Sequence, residues 1–201
     1  MENSLRIDEH LWPQLVTSIN GLDVLHAGKI NPNIRVESQH IRALVEFMRR
    51  NYQALCFDLS GNLERYSLEI MQEAKRVLVV CTPEIPSLHQ AREKLQFLRG
   101  FDLDSRVSIV LNRCQKKGLF TKEQVEELLG LPVLVTFPND YHCVTRAVTA
   151  GTFIEQKSDL GKAIENFAQE LVERRAPEAS EKKKFLEFFS VQGRQSATAE
   201  K

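Results

Sequence analysis

Residues 52–63 read YQALCFDLSGNL. The run Ala54-Leu55-Cys56-Phe57 is apolar and stops abruptly at Asp58, Ser60, Gly61 and Asn62, the pattern of a buried parallel strand that delivers a polar tip to a site. A carboxylate at the carboxyl end of such a strand suits Mg²⁺, which is usually held by one or two carboxylates together with waters and phosphate oxygens. Gly61 lets a backbone N–H come close to a phosphate. Taken alone, residues 58–62 read as an ordinary turn after a strand. Their surroundings decide between the two readings.

Toward the amino terminus, residues 1–21 carry no strand signal and one short helix, which Pro13 enters in its first turn. Residues 22–27 form a short apolar run before Gly28. After Asn31, Pro32 and Asn33 comes a helix with Ile41, Leu44, Val45 and Met48 on one face. Toward the carboxyl terminus, residues 66–74 read as a helix with Leu68 and Met71 three apart, and residues 76–82 as a nearly continuous apolar strand of the buried parallel type. A helix over 87–99 turns Leu88, Ala91, Leu95 and Leu98 inward and stops at Gly100. Residues 107–112 form the next strand. Thr121 and Gln124 have capping-box spacing and open a helix that Gly130 terminates. Residues 132–137 are a fifth strand. Asp140 caps a helix running to Ala150 before Gly151, and Ser158 caps another whose Leu160, Ile164, Phe167 and Leu171 share a face.

Apolar strands joined by helix-length crossovers predict an α/β fold, a mostly parallel sheet with helices on both faces. In such a sheet ligands sit at the carboxyl ends of the strands. The polar tips at 58–62, 82–84, 112–113 and 138–140 therefore converge on one edge, which four unrelated turns would not do.

With 201 residues and 42% apolar composition the chain can bury one good-sized core. One domain is expected over 1–175, and a lysine-rich flexible tail over 176–201. The 27 basic and 27 acidic residues cancel, so no global field steers the chain to nucleic acid and no direct sequence-specific nucleic-acid contact is expected. Cys56, Cys81, Cys114 and Cys143 are widely spaced; Cys56 and Cys81 lie in apolar runs and read as reduced, structural residues. No leader pattern stands at the start and no apolar run approaches the ~20 residues of a membrane span, so a cytoplasmic chain is expected. His142 and Cys143 are adjacent at a helix start and lack ligand spacing, and His10, His26, His40 and His89 are scattered. Trp12 reads as an anchor for the amino-terminal segment, and residues 116–118 as a solvated loop. In the tail, Lys182, Lys183 and Lys184 stand beside Phe185, Leu186, Phe188 and Phe189. These are the ingredients of an interfacial anchor, against which stands a tail that docks on its own domain or stays disordered.

The series FDLSGNL at 57–63, VLVVCTPEIPSL at 77–88, VLNR at 110–113 and LPVLVTFPND at 131–140 resembles the MinD/ParA family of P-loop ATPases, in particular the CpaE-like branch of pilus assembly and polar localisation, over residues 22–171. The resemblance implies a P-loop NTPase fold that binds ATP and Mg²⁺. It makes Asp58 the Walker B carboxylate, holding Mg²⁺ through water, and Ser60 and Gly61 the switch segment that senses the γ-phosphate. Asn112 takes the position of the adenine-contacting asparagine, and Pro138 and Asp140 belong to the segment that closes over the base. Family members act by ATP-dependent dimerisation and position a partner machine, here a protein of a pilus or localisation system. MinD proteins carry a C-terminal amphipathic membrane helix that residues 182–189 resemble, which implies weak membrane contact and a place at the inner face of the membrane.

The family's phosphate site, a glycine-rich loop with a lysine and Ser/Thr, has no counterpart here. Six residues lie between Gly21 and Gly28-Lys29 where the motif has four, Ile30 stands where Ser/Thr must ligate Mg²⁺, and Gly161-Lys162-Ala163 is likewise a decoy. Residues 4–12 resemble what the family shows after its phosphate loop. The chain therefore reads as an N-terminally truncated domain without catalytic residues of its own, not a competent ATPase alone. A non-catalytic adaptor on the same scaffold is the alternative. A receiver-like domain would need an acidic pair after its first strand, where residues 22–29 offer only Asp23.

Overall fold

The structure is a computed structural model that describes residues 10–26 and 37–173. The chain divides into two compact units, one formed by the residues up to 79 with 92–108, the other by 80–91 with the residues from 109 onward.

In the first unit, Pro13 lies in the first turn of a one-turn helix, α1 (Trp12–Leu15), as its fixed φ and missing N–H favour. The next two elements correct the reading of residues 1–21 as strandless. β1 (Val16–Ile19) and β2 (Leu22–Leu25) form an antiparallel hairpin in which Ile19 faces Leu22 across Asn20-Gly21. Both turn residues have positive φ, 51° and 82°, which an Asn-Gly pair tolerates and a two-residue hairpin turn of right-handed twist requires. Residues 22–25 thus pair locally, as a hairpin arm.

Helix α2 (Ser38–Asn51) buries Val45 and Met48, and these with Trp12 form the core of the unit. Ile41, Leu44, Phe47 and Tyr52 pack against it, together with Leu55 and Phe57. Helix α3 (Arg65–Glu73) buries Ile70 and Met71 and is tied to α2 by Arg42–Glu69 and Arg49–Glu73 ion pairs, each 2.9 Å. Such exposed pairs contribute well under ~1 kcal/mol each, so the apolar faces hold the helices together.

Residues 54–57 correct a second expectation, for they form no strand and pair with none of the described strands. Leu55 and Phe57 turn onto the core while Ala54, Cys56 and Asp58 are exposed. Without a neighbouring strand the run is an extended segment with one apolar face, and Cys56, expected in the core, faces solvent.

The second unit is built on a three-stranded parallel sheet, β3 (Val77–Cys81), β4 (Val107–Cys114) and β5 (Val133–Pro138), in the order β3-β4-β5; β3 and β4 begin in the first unit. β4 is central, and its Ile109, Val110 and Leu111 are at most 3% exposed, which requires cover on both faces. β3 departs from the expected continuous burial. Val77 and Cys81 are buried, but Leu78 and Val80 on the opposite face are 38% and 60% exposed, so no described element covers that face of this edge strand.

The helices match their sequence signals closely. Helix α4 (Ile85–Arg99), which crosses from the second unit into the first, buries Leu88, Ala91, Leu95 and Leu98. A 3₁₀ turn (Asp104–Arg106) leads into β4. Helix α5 (Lys122–Leu129) has both bonds of the capping box, Thr121 N–H to Gln124 Oε1 at 2.9 Å and Gln124 N–H to Thr121 Oγ1 at 3.3 Å, and ends in left-handed Gly130. Helix α6 (Tyr141–Ala150) ends in left-handed Gly151. Helix α7 (Asp159–Glu173) lays Phe167 edge-on against Phe137 of β5, centroids 5.8 Å apart, and buries Leu160; Ile164, expected on that inner face, is exposed. The Ser158 hydroxyl caps α7 by accepting from Gly161 N–H at 2.9 Å.

Candidate functional site

The ends of β4 and β5 form one locus in the second unit. Leu111 faces Thr136, but the next paired residues are Cys114 and Pro138, so β4 spends one residue more than β5 over this interval, a bulge at Asn112-Arg113. Arg113 is left-handed, φ 56°, and its N–H donates to the Asn112 side-chain Oδ1 at 2.8 Å. Beyond the bulge, Asn139 N–H donates to the Cys114 carbonyl at 2.9 Å. The next residue, Asp140, caps α6 by accepting Cys143 N–H on Oδ1 at 3.0 Å. Thus Asn112 comes to a strand end adjacent to the one that carries Pro138 and Asp140, from which it is distant in sequence. The bulge holds the Asn112 amide by one oxygen lone pair, which leaves its Nδ2 as a donor and a second lone pair as an acceptor.

The neighbouring tip of β3 folds onto itself. Thr82 N–H donates to the Ser87 hydroxyl at 2.9 Å and its own hydroxyl to Glu84 Oε2 at 3.4 Å. Just before it, burial and the nearby Cys114 push the Cys81 thiol up to about 11. His142 lies edge-on to the Tyr141 ring and is exposed, whereas Cys143 is on the buried face of α6.

Asp58, Ser60 and Gly61 belong to the first unit. All three are exposed and lie outside any strand or helix; the Ser60 hydroxyl donates to the Asn62 carbonyl at 3.4 Å and is also hydrogen-bonded to the Tyr66 hydroxyl. Lys94 of α4, in the same unit, is a residue the sequence did not single out. Its Nζ is so close to Gly61 that a Cβ there would stand 3.0 Å from it. No spacing rule links positions 61 and 94, so only the folded chain places an ammonium on the Ser60-Gly61 segment. Such a cation fits a segment that meets a phosphate. For Mg²⁺, Asp58 offers one hard oxygen donor, which meets the ion's need for one carboxylate but leaves the remaining ligands to water and phosphate. Among the described residues no three His, Cys, Asp or Glu side chains gather as a metal cluster. Gly28, Lys29 and Ile30, and the tail residues 182–189, lie outside the described residues. Within the described residues no helix is long and apolar enough to cross a membrane.

No protein-family model matches the chain. The architecture is that of the MinD/ParA-type nucleotide-binding proteins. A ParA family ATPase from Chlorobium tepidum superposes with a TM-score of 0.76 over 84% of this chain and 72% of its own, at 22% identity. MinD from Pyrococcus horikoshii, solved in complex with Mg-ADP, superposes with a TM-score of 0.66 over 86% of this chain and 78% of its own, at 15% identity. In sequence, the septum site-determining protein MinD of Thermotoga maritima is 24% identical over 160 residues, 76% of this chain and 59% of that protein. The chain spans little more than half the length of the first curated relatives it matches. Fold and sequence together support homology with the MinD/ParA-family P-loop ATPases.

Proposed function

We propose that the chain is the later part of a MinD/ParA-type ATP-binding protein of the CpaE-like branch, one α/β domain over 1–175, whose complete form dimerises with ATP and positions a protein partner such as a pilus-assembly system at the inner face of the membrane. The observation that carries this reading is the bulge that brings Asn112 to the strand ends beside Pro138 and Asp140. There an amide that both donates and accepts suits the two adjacent polar edges of an adenine, and the Pro138–Asp140 turn suits a cover for the base. Asp58 would hold Mg²⁺ through water, Ser60 and Gly61 would meet the γ-phosphate, and the bound ion would neutralise phosphate charge. The sequence holds no phosphate loop, so the chain by itself is not a competent ATPase.

Two measurements test this. Stabilisation by a ligand requires binding to the folded state, so millimolar MgATP should raise the melting temperature of this chain little. A large rise would show that the chain holds phosphates unaided. Extending the reading frame upstream should add an apolar strand followed by G-x-x-x-x-G-K-[ST], and the longer protein should dimerise with ATP and lose that response in Asp58→Ala and Asn112→Ala. Unrelated upstream sequence in every frame removes the truncation reading.

A non-catalytic adaptor on the same scaffold draws support from the exposure of Asp58 outside any strand, since a carboxylate not fixed at a strand tip is not held to metal geometry. ATP-independent dimerisation of the longer protein would favour it. Membrane contact through 182–189 is tested by liposome sedimentation, where loss of pelleting in a chain ending at Arg175 is expected.

A further inference from the structure

We propose that a cavity in the first unit, lined by Trp12, Asp23, Phe47, Asn51 and Tyr52, binds the guanidinium group of an arginine presented by a partner polypeptide. The cavity has a volume of about 270 Å³ and an open mouth, room for a guanidinium and part of its stem. Its walls come from α1, β2, α2 and the residue that ends α2, and nothing in the proposed nucleotide chemistry uses them.

The aromatic part is preorganised. Trp12 meets Phe47 with ring centroids 5.1 Å apart and Tyr52 with centroids 6.1 Å apart, at interplanar angles of 53° and 60°. Trp12 Nε1–H donates to the Tyr52 hydroxyl at 2.5 Å, and that hydroxyl donates to Asp23 Oδ2 at 2.5 Å. Ser18, across the hairpin, donates its hydroxyl to Asp23 Oδ1. The ring set and the carboxylate are therefore fixed relative to one another before any ligand arrives.

The carboxylate is charged and has no counter-charge among the described residues. Its hydroxyl donors, Ser18 first and then Tyr52, hold the Asp23 carboxyl below its ordinary range, so it is an anion at neutral pH. Among the described residues no Lys or Arg pairs with it. Its two oxygens carry about four lone-pair sites, of which the hydroxyls occupy two, leaving one on each oxygen. That arrangement accepts a bidentate fork. Asn51, whose Nδ2 donates to the Phe47 carbonyl at 2.9 Å, adds an amide oxygen at the rim. An anion among aromatic rings selects a cation that is weakly hydrated, planar and able to lie on a ring, which is arginine rather than lysine. A divalent metal would need more oxygen ligands than one carboxylate and one amide. An isolated residue has a carboxylate of its own that Asp23 repels, whereas an arginine within a peptide has none beside it.

Trp12 is the sole tryptophan of the chain, so its emission reports this cavity alone. The full chain is titrated with N-acetyl-arginine methylamide, with the citrulline analogue, which has the same shape and no charge, and with free arginine. Expected is a saturable change in emission with half-saturation on the order of 1 mM for the blocked arginine. The citrulline analogue should bind about tenfold or more weakly, and so should blocked arginine to Asp23→Asn. No saturable change, or equal responses to arginine and citrulline, overturns the proposal. Free arginine equal to the blocked residue overturns the peptide source. The arginine–citrulline comparison uses the unaltered chain and stands even if Asp23→Asn fails to fold.

Discussion

The backbone N–H of Asn139 donates to the carbonyl of Cys114 at 2.9 Å, tying the end of β5 to the end of β4 one residue past the bulge. This bond keeps the Asn112 amide and the Asp140 cap at one locus, because each is one or two residues from a bonded atom.

Asn112 should matter for stability even without nucleotide. Replacing it by Ala removes the acceptor of the Arg113 N–H and is expected to cost about 1 kcal/mol, a fall of about 2–4 °C in melting temperature. Asn112→Asp keeps the acceptor oxygen and should recover most of the loss. An unchanged melting temperature in Asn112→Ala would show that water replaces the bond at no cost.

Two glycines should respond differently to alanine. At Gly161 a Cβ would stand 2.2 Å from the backbone carbonyl oxygen of Glu155, so the turn before α7 must move, and a loss of about 2 kcal/mol or more is expected in denaturant melts. At Gly151 nothing lies within 4 Å, but φ is +62°, so alanine there costs only the left-handed conformation, about 1 kcal/mol. Equal losses would mean that the Glu155 turn yields freely.

Acid stability should depend on Asp23. Hydrogen bonds from Ser18 and Tyr52 hold its folded value below the ordinary 3.8, so the proton is harder to add in the folded chain. Its contribution is complete above the unfolded value and is lost as pH falls through the folded one. Urea melts between about pH 5 and 2 should show this slope in the natural chain and a shallower one in Asp23→Asn. Tyr52 has the opposite sign, raised chiefly by its bond to Asp23, so its contribution is present below 10.0 and is lost as pH rises through its folded value.

Thiol chemistry should rank the cysteines by burial. Cys81, 4% exposed and pushed up to about 11, carries almost no thiolate at pH 8, whereas Cys56 faces solvent. Alkylation followed by peptide mapping should find Cys56 modified first and Cys81 last. Early labelling of Cys81 in the native chain would show that β3 opens readily.

Much of this fold was written locally. The box at Thr121 and Gln124, the caps at Asp140 and Ser158, and the αL stops at Gly130 and Gly151 formed where expected, because each is satisfied by atoms within a few residues. The Asn20-Gly21 turn is equally legible, since that dipeptide before an apolar run is a turn signal, but the strand before it, Val16-Thr17-Ser18-Ile19, shows no alternation of its own. What sequence could not reach is what depends on a neighbour. An apolar run such as 54–57 looks the same whether or not a strand lies beside it, and the exposure of Leu78, Val80 and Ile164 depends on what packs above them.

The sequence by itself determined the capped helix ends, the three runs that became β3, β4 and β5, and the residue types available for a nucleotide, because these follow from periodicity and short-range hydrogen bonds. Only the tertiary structure decided that Asn112 sits on a bulge, that Lys94 reaches Gly61, and that Trp12, Tyr52 and Asp23 share one hydrogen-bonded chain. The physical reason is that each of these joins residues distant in sequence, and such a contact exists only once packing has brought their elements together.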